Sequence, residues 1–127
     1  MSPRIAITGA AGLVGQNLIP RLKAQGYRDI VAIDKHPANA AVLRGLHPDI
    51  DIIQANLARD NGWQESIAAC DVIVCGHAQI GGIDRTAYDE NNVIATKRLL
   101  AAVKTNSKAY IIHISSSVVE CVTSSYD

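Results

Sequence analysis

Ile5-Ala6-Ile7-Thr8-Gly9-Ala10-Ala11-Gly12-Leu13-Val14-Gly15 runs from an apolar strand through a glycine-punctuated turn and straight into an amphipathic helix. Three glycines spaced three apart are a weak signal alone, but between a strand and a helix the pattern acquires a mechanism. Gly9 turns the chain tightly, Gly12 lets the backbone approach a pyrophosphate without a Cβ in the way, and Gly15 lets the helix lie close to the strand. The amides of Gly12, Leu13 and Val14, with Ala11 beside them in the turn, then direct partial positive charge at phosphates. The stretch reads as a dinucleotide cradle; the plainer alternative is a tight turn and nothing more. No GK[ST] sequence closes the turn, which argues against a nucleoside-triphosphate loop.

Outward from the turn, Val14, Leu18 and Leu22 recur at intervals of four and predict a helix over residues 13–25 with that stripe on a sheet; Gly26 stops it. Pro20 lies inside, removes the donor to the Gln16 carbonyl and predicts a kink. Residues 29–34 form a β-branched strand ending on Asp34, nineteen residues beyond Gly15. A helix over 38–46, a third strand over 49–54, a short helix over 60–69 and a fourth strand over 71–75 follow. After a loop at 80–83, a long helical pattern runs from about 84 to about 104, acidic early and basic late as the helix dipole favours. Residues 110–114 form a fifth strand that leads into Ser115-Ser116-Ser117. Strands alternating with helices predict a doubly wound α/β fold with a parallel sheet, helices on both faces and strand order 3-2-1-4-5.

The 127 residues are one domain in size, with 12 basic against 12 acidic side chains. No net field draws nucleic acid or an anionic membrane surface. Cys70, Cys75 and Cys121 are odd in number and form no CxxC, so they read as reduced packing residues of a cytoplasmic protein rather than metal ligands. No apolar run approaches a membrane span, and the polar-flanked N-terminus does not suit a signal peptide.

Asp34 closes the second strand where a carboxylate accepts hydrogen bonds from ribose hydroxyls and repels a 2′-phosphate, which favours NAD over NADP; a solvated strand-end aspartate is the alternative. Lys35 and His36 follow it and soften that discrimination. With these residues the chain resembles the extended short-chain dehydrogenase/reductases, which include the NAD-dependent epimerases and dehydratases acting on nucleotide sugars. Residues 8–15 match that family's TGxxGxxG, Asn92-Val93-Ile94-Ala95-Thr96 is similar to its NVxGT with alanine where glycine is usual, and residues 112–117 resemble its fifth strand and serine run.

The resemblance implies a Rossmann fold in which Asn56 and Leu57 lie beside the adenine, with an amide where the family commonly has aspartate. It also implies that Gly76-His77-Ala78 runs under the ribose and pyrophosphate. Two readings of His77 stand: a contact to phosphate or substrate, or a loop histidine with no part in the site. The family's reaction uses a tyrosine as general base, a lysine four residues later and a serine or threonine hydroxyl. Ser117 matches the hydroxyl, with a strand-end serine bonding the backbone as the alternative. Tyr126, nine residues later, stands where the tyrosine is sought, or else is a loop residue ahead of another one.

The matching lysine position falls beyond Asp127, so the expectation is an incomplete NAD(P)-binding Rossmann domain over residues 1–127, ending before the catalytic helix and substrate lobe and giving no turnover alone. A complete, non-catalytic dinucleotide-binding or regulatory module is the competing reading. Uncovered apolar residues such as Ile94, Leu99 and Val103 predict a homo-oligomer.

Overall fold

The computed structural model describes residues 2–106 and 108–116. Five parallel strands form one sheet in the order β3-β2-β1-β4-β5: β1 Ile5–Thr8, β2 Ile30–Asp34, β3 Asp51–Gln54, β4 Val72–Cys75 and β5 Tyr110–His113. β1 and β2 are flanked on both sides and buried at every residue, as their unbroken apolar runs require. The two-residue alternation of the strands divides the core. Ile5, Ile7, Ile30 and Ala32 point to one face and pack against Ile19 of α1 (Leu13–Ala24) and Leu43 of α2 (Pro37–Leu46). Ala6, Val31, Ile33 and Ile73 point to the other and meet Ile67 of α3 (Gln64–Ala68), Trp63 just before it, and Leu99.

Several sequence expectations shift. In α1 the buried residues are Gly15 and Ile19, with Leu18 and Leu22 only flanking them, and Val14 is 53% exposed. The contact face turns toward Gly15 because that residue has no side chain to hold the helix away: an added Cβ would sit 2.2 Å from the Ala10 carbonyl oxygen. Pro20 is accommodated on the exposed side of one uninterrupted helical span.

The third helix begins at Gln64 rather than 60, since residues 56–60 form a hydrogen-bonded turn and the Trp63 indole donates to the Asp60 carbonyl at 2.9 Å. The long helical pattern after residue 84 resolves into α4 (Arg85–Tyr88), a π-helical turn at Asp89–Ile94 and α5 (Ala95–Val103). Within α5, Leu99 and Val103 are buried against the sheet face that holds Trp63 and Ile67, contrary to the expectation that they lie uncovered; Val93, Ile94 and Leu100 are the exposed apolar residues there.

Below the amino-terminal ends of the strands, the Arg4 guanidinium bridges Asp29 and Asp51, the latter at 2.9 Å, and the Arg4 amide donates to Asp71 at 2.8 Å. Charge is thus paired at the end of the sheet opposite the glycine turn. Cys70 and Cys75 are buried free thiols; burial pushes the Cys75 thiol up to about 11, so it is a protonated packing group at neutral pH. Cys121 lies outside the described residues.

Candidate cofactor site

A parallel sheet opens its crevice at the carboxyl ends of the strands, on either side of the point where strand order reverses. Here that point lies between β1 and β4, and a cavity of about 310 Å³ occupies it. Its floor comes from the turn after β1 (Gly9, Ala11 and Gly12), its walls from the ends of β2, β3 and β4, and its rim from Asn91 and Ala95. Gly9 adopts φ +62°, and a Cβ there would lie 2.6 Å from the Gly76 carbonyl oxygen. The ends of β1 and β4 approach closely because both positions are glycine.

The first turn of α1 contains no acidic residue, and its N-cap, Gly12, makes no side-chain capping bond. The Gly12 amide donates to the Gly9 carbonyl at 3.0 Å, so it closes the turn itself and leaves Leu13 and Val14 as the first amides of the open helix end. That end carries the positive pole of the helix. Gly15 lies under α1 and serves packing rather than the cavity wall.

At the end of β2, Asp34 is buried and its two oxygens hold two backbone amides: Oδ2 accepts from Ala11 at 2.9 Å and Oδ1 from His36 at 3.0 Å. The carboxylate therefore fixes the glycine turn against β2, and each oxygen retains acceptor capacity toward the cavity. Lys35 donates to the Asn91 side chain at 2.9 Å. After β3, Asn56 lines the cavity beside Leu57, with its Oδ1 accepting the Ala58 amide at 3.0 Å. Its amide nitrogen makes no hydrogen bond among the described residues and is the donor Asn56 can offer a ligand.

His77 lines the cavity and is also tied into the fold. Its Nδ1 lies 2.7 Å from Thr8 Oγ1 and its Nε2 3.0 Å from Thr96 Oγ1, so it bridges the end of β1 to α5 while lining the cavity. Thr8 also accepts the Gly76 amide at 3.1 Å. Burial, and secondarily the neighbouring His113, push the His77 pKa down. A neutral imidazole has one donor and one acceptor, and the two hydroxyls complement it.

Asn92 stands outside the cavity wall and clamps the backbone of Gln79: Oδ1 accepts the Gln79 amide at 2.7 Å and Nδ2 donates to its carbonyl at 3.2 Å. Ala78 lines the cavity next to it. Ser117 and Tyr126 lie outside the described residues. The sequence reading missed Ile33, Asn39, Ala55, Gln79, Asn91 and Ala95 as lining residues, while His36, named there beside Lys35, does line the cavity. Ala55 and Gln79 directly adjoin segments singled out at strand ends, a positional signal that would have found them. Asn39 reaches the cavity from α2 and leaves no such mark. Among the described residues no group of three His, Cys, Asp or Glu side chains is placed to hold a metal ion.

The sequence profile of the NAD dependent epimerase/dehydratase family matches residues 5–122, and the chain belongs to that family. A candidate dihydroflavonol 4-reductase from Synechocystis sp. is 31% identical over 102 residues, covering 77% of this chain and 28% of the relative. Among solved structures, UDP-glucuronic acid 4-epimerase from Bacillus cereus in complex with UDP-glucuronic acid and NAD is 29% identical. It matches 94% of this chain and 42% of its own at a TM-score of 0.78. Uronate dehydrogenase from Agrobacterium tumefaciens, as a mutant complexed with NAD, is 26% identical with a TM-score of 0.76, covering 91% of this chain and 42% of the other. The chain thus spans less than half the length of these relatives.

Proposed function

We propose that this chain forms the NAD-binding portion of an NAD-dependent oxidoreductase, epimerase or dehydratase acting on a nucleotide sugar or a related alcohol or ketone. The observation that carries the reading is the cavity at the β1/β4 switch point, which joins an uncapped helix end to a buried carboxylate on β2. The fit to a dinucleotide is chemical. The amides of Leu13 and Val14 at the positive end of α1 suit a pyrophosphate. Asp34, held in place by Ala11 and His36, retains acceptor capacity for ribose hydroxyls, and Asn56 offers a donor to a ring nitrogen of the base beside Leu57. Gly76, His77 and Ala78 border the same space.

When bound, NAD would supply the hydride acceptor or donor; the chain's described residues bind and orient it. Gly9 and Gly76 bring the two strand ends together beneath it, and the Thr8–His77–Thr96 bridge keeps that floor rigid. Ser117 as the substrate-positioning hydroxyl and Tyr126 as the general base belong to the proposal through family resemblance. So do a cytoplasmic location and self-association. Among the described residues, no helix is long and apolar enough to cross a membrane.

Calorimetric titration of the 127-residue chain with NAD and NADP tests the reading. The expected result is binding of both with NAD preferred, and a narrowed preference in Asp34→Ala. Absence of binding by folded protein would remove the proposed site. A complete chain serving as a non-catalytic module would bind NAD equally, and the coding sequence downstream of Asp127 separates the two: a tyrosine followed four residues later by lysine marks the enzyme.

A further inference from the structure

The cavity rim carries a lysine, Lys35, that makes no ion pair among the described residues. Among the described residues the ion pairs belong to Arg4, Lys23, Arg28 and Arg59, whereas the Lys35 ammonium donates to the neutral side-chain carbonyl of Asn91. Asn91 is itself held: its Nδ2 donates to Gln79 Oε1 at 3.2 Å, and the Gln79 backbone is clamped by Asn92. A hydrogen-bonded strap therefore runs from the end of β2 through the π turn to the segment after β4. The π turn places Asn91 and Asn92, adjacent in sequence, on the same loop segment. Such turns within α-helices are frequently found at functional sites.

We propose that Asn91 is a positioning residue that sets the discrimination between NAD and NADP by holding Lys35 on the π turn, away from a phosphate on the adenine ribose. The inference rests on the reading of the cavity as a dinucleotide site. A ribose 2′-phosphate brought to the end of β2 meets the buried Asp34 carboxylate, which is fixed by its two backbone amides. Lys35 is the adjacent side chain able to offset that repulsion, and a phosphate recruits it only by displacing the bond to Asn91. Charge-assisted hydrogen bonds to phosphate outweigh one to a neutral amide, so the restraint is modest rather than absolute. Asn91 acts through Lys35 and needs no contact with the cofactor.

The test is a double-mutant cycle on the full chain, with Asn91→Ala, Lys35→Gln and the double variant titrated with NAD and with NADP at one fixed salt concentration. Asn91→Ala is expected to tighten NADP about three- to fivefold relative to NAD, the scale of one partly exposed charge contact. In the Lys35→Gln background the same Asn91 substitution is expected to leave the ratio unchanged. Asn91→Asp, which returns an acceptor for Lys35, is expected to bring the ratio back to the parent value or below it. An unaltered ratio in Asn91→Ala, or an equal shift with and without Lys35, would overturn the positioning role while leaving the dinucleotide site standing. Failure of the folded parent chain to bind either nucleotide would instead overturn the site and this inference together.

Discussion

Gly15 and His77 show how single residues set the geometry of the site. A methyl group at Gly15 would meet the backbone of Ala10 at 2.2 Å, an obstacle that no rotamer change relieves. Gly15→Ala is therefore expected to lower unfolding free energy by about 2 kcal/mol or more, through overpacking, in urea denaturation; an unchanged midpoint would show that α1 can shift at no cost. His77 makes a pH prediction. Its folded pKa lies below the ordinary histidine value of 6.5, chiefly through burial. As pH falls below 6.5, the unfolded chain takes up a proton that the folded chain refuses, so stability declines and the decline levels off below the folded pKa. Replacing His77 with Gln should flatten that part of the stability profile, the decline that sets in as pH falls below 6.5. An equally steep profile in the variant would assign the dependence to other groups.

Among the elements, α5 sets its register by packing rather than by its apolar composition alone. Leu99 is fully buried beneath Trp63 and Ile67 while Leu100, one residue on, is 40% exposed. Leu99→Ala should cost about 2–5 kcal/mol by cavity formation, and Leu100→Ala well under 1 kcal/mol. Similar losses at both positions would mean that the outer face of α5 is also covered. Arg98 braces the same region: it donates to the Leu57 carbonyl at 2.7 Å and lies over the Trp63 ring, 5.7 Å from its centroid. The segment after β3 that carries Asn56 and Leu57 is thus tied to α5, on the far wall of the cavity from α1. The acidic-to-basic order along residues 84–104 made the helical pattern legible, but the π turn within it left no periodic signature, and its Asn91 and Asn92 side chains meet Gln79, a partner distant in sequence.

On the scale of the whole molecule, the sheet is well covered at its centre, and among the described residues its β5 edge is uncovered. β5 is exposed at every residue; Tyr110, Ile111, Ile112 and Ile114 are exposed apolar side chains on its two faces, and Val93 and Leu100 are exposed too. Each such side chain buried in an interface contributes about 1.5–3 kcal/mol before association costs. Sedimentation velocity from micromolar to millimolar protein is expected to show self-association, weakened in Ile112→Lys; a monomer throughout that range would refute it. Ligand linkage is the second whole-molecule test. NAD at a hundred times its Kd should raise unfolding free energy by about 2.7 kcal/mol, seen as a concentration-dependent rise in Tm. A Tm independent of NAD would contradict specific binding to the folded chain.

The parallel five-strand order, the glycine turn and the strand-end position of Asp34 were legible in the sequence because each is a local pattern: apolar runs of four or five residues, glycines at fixed spacing, a carboxylate where a strand stops. Family membership followed from the same short segments. Only the tertiary structure decided which face of α1 meets the sheet, that Leu99 and Val103 lie inside, that Asn56 turns its carbonyl to Ala58, and that His77 links Thr8 to Thr96. Those outcomes depend on partners far away in sequence. Hydrophobic periodicity fixes that a helix forms, whereas its rotation and the pairing of buried polar groups are settled when separate elements compete for the same space and the same hydrogen bonds.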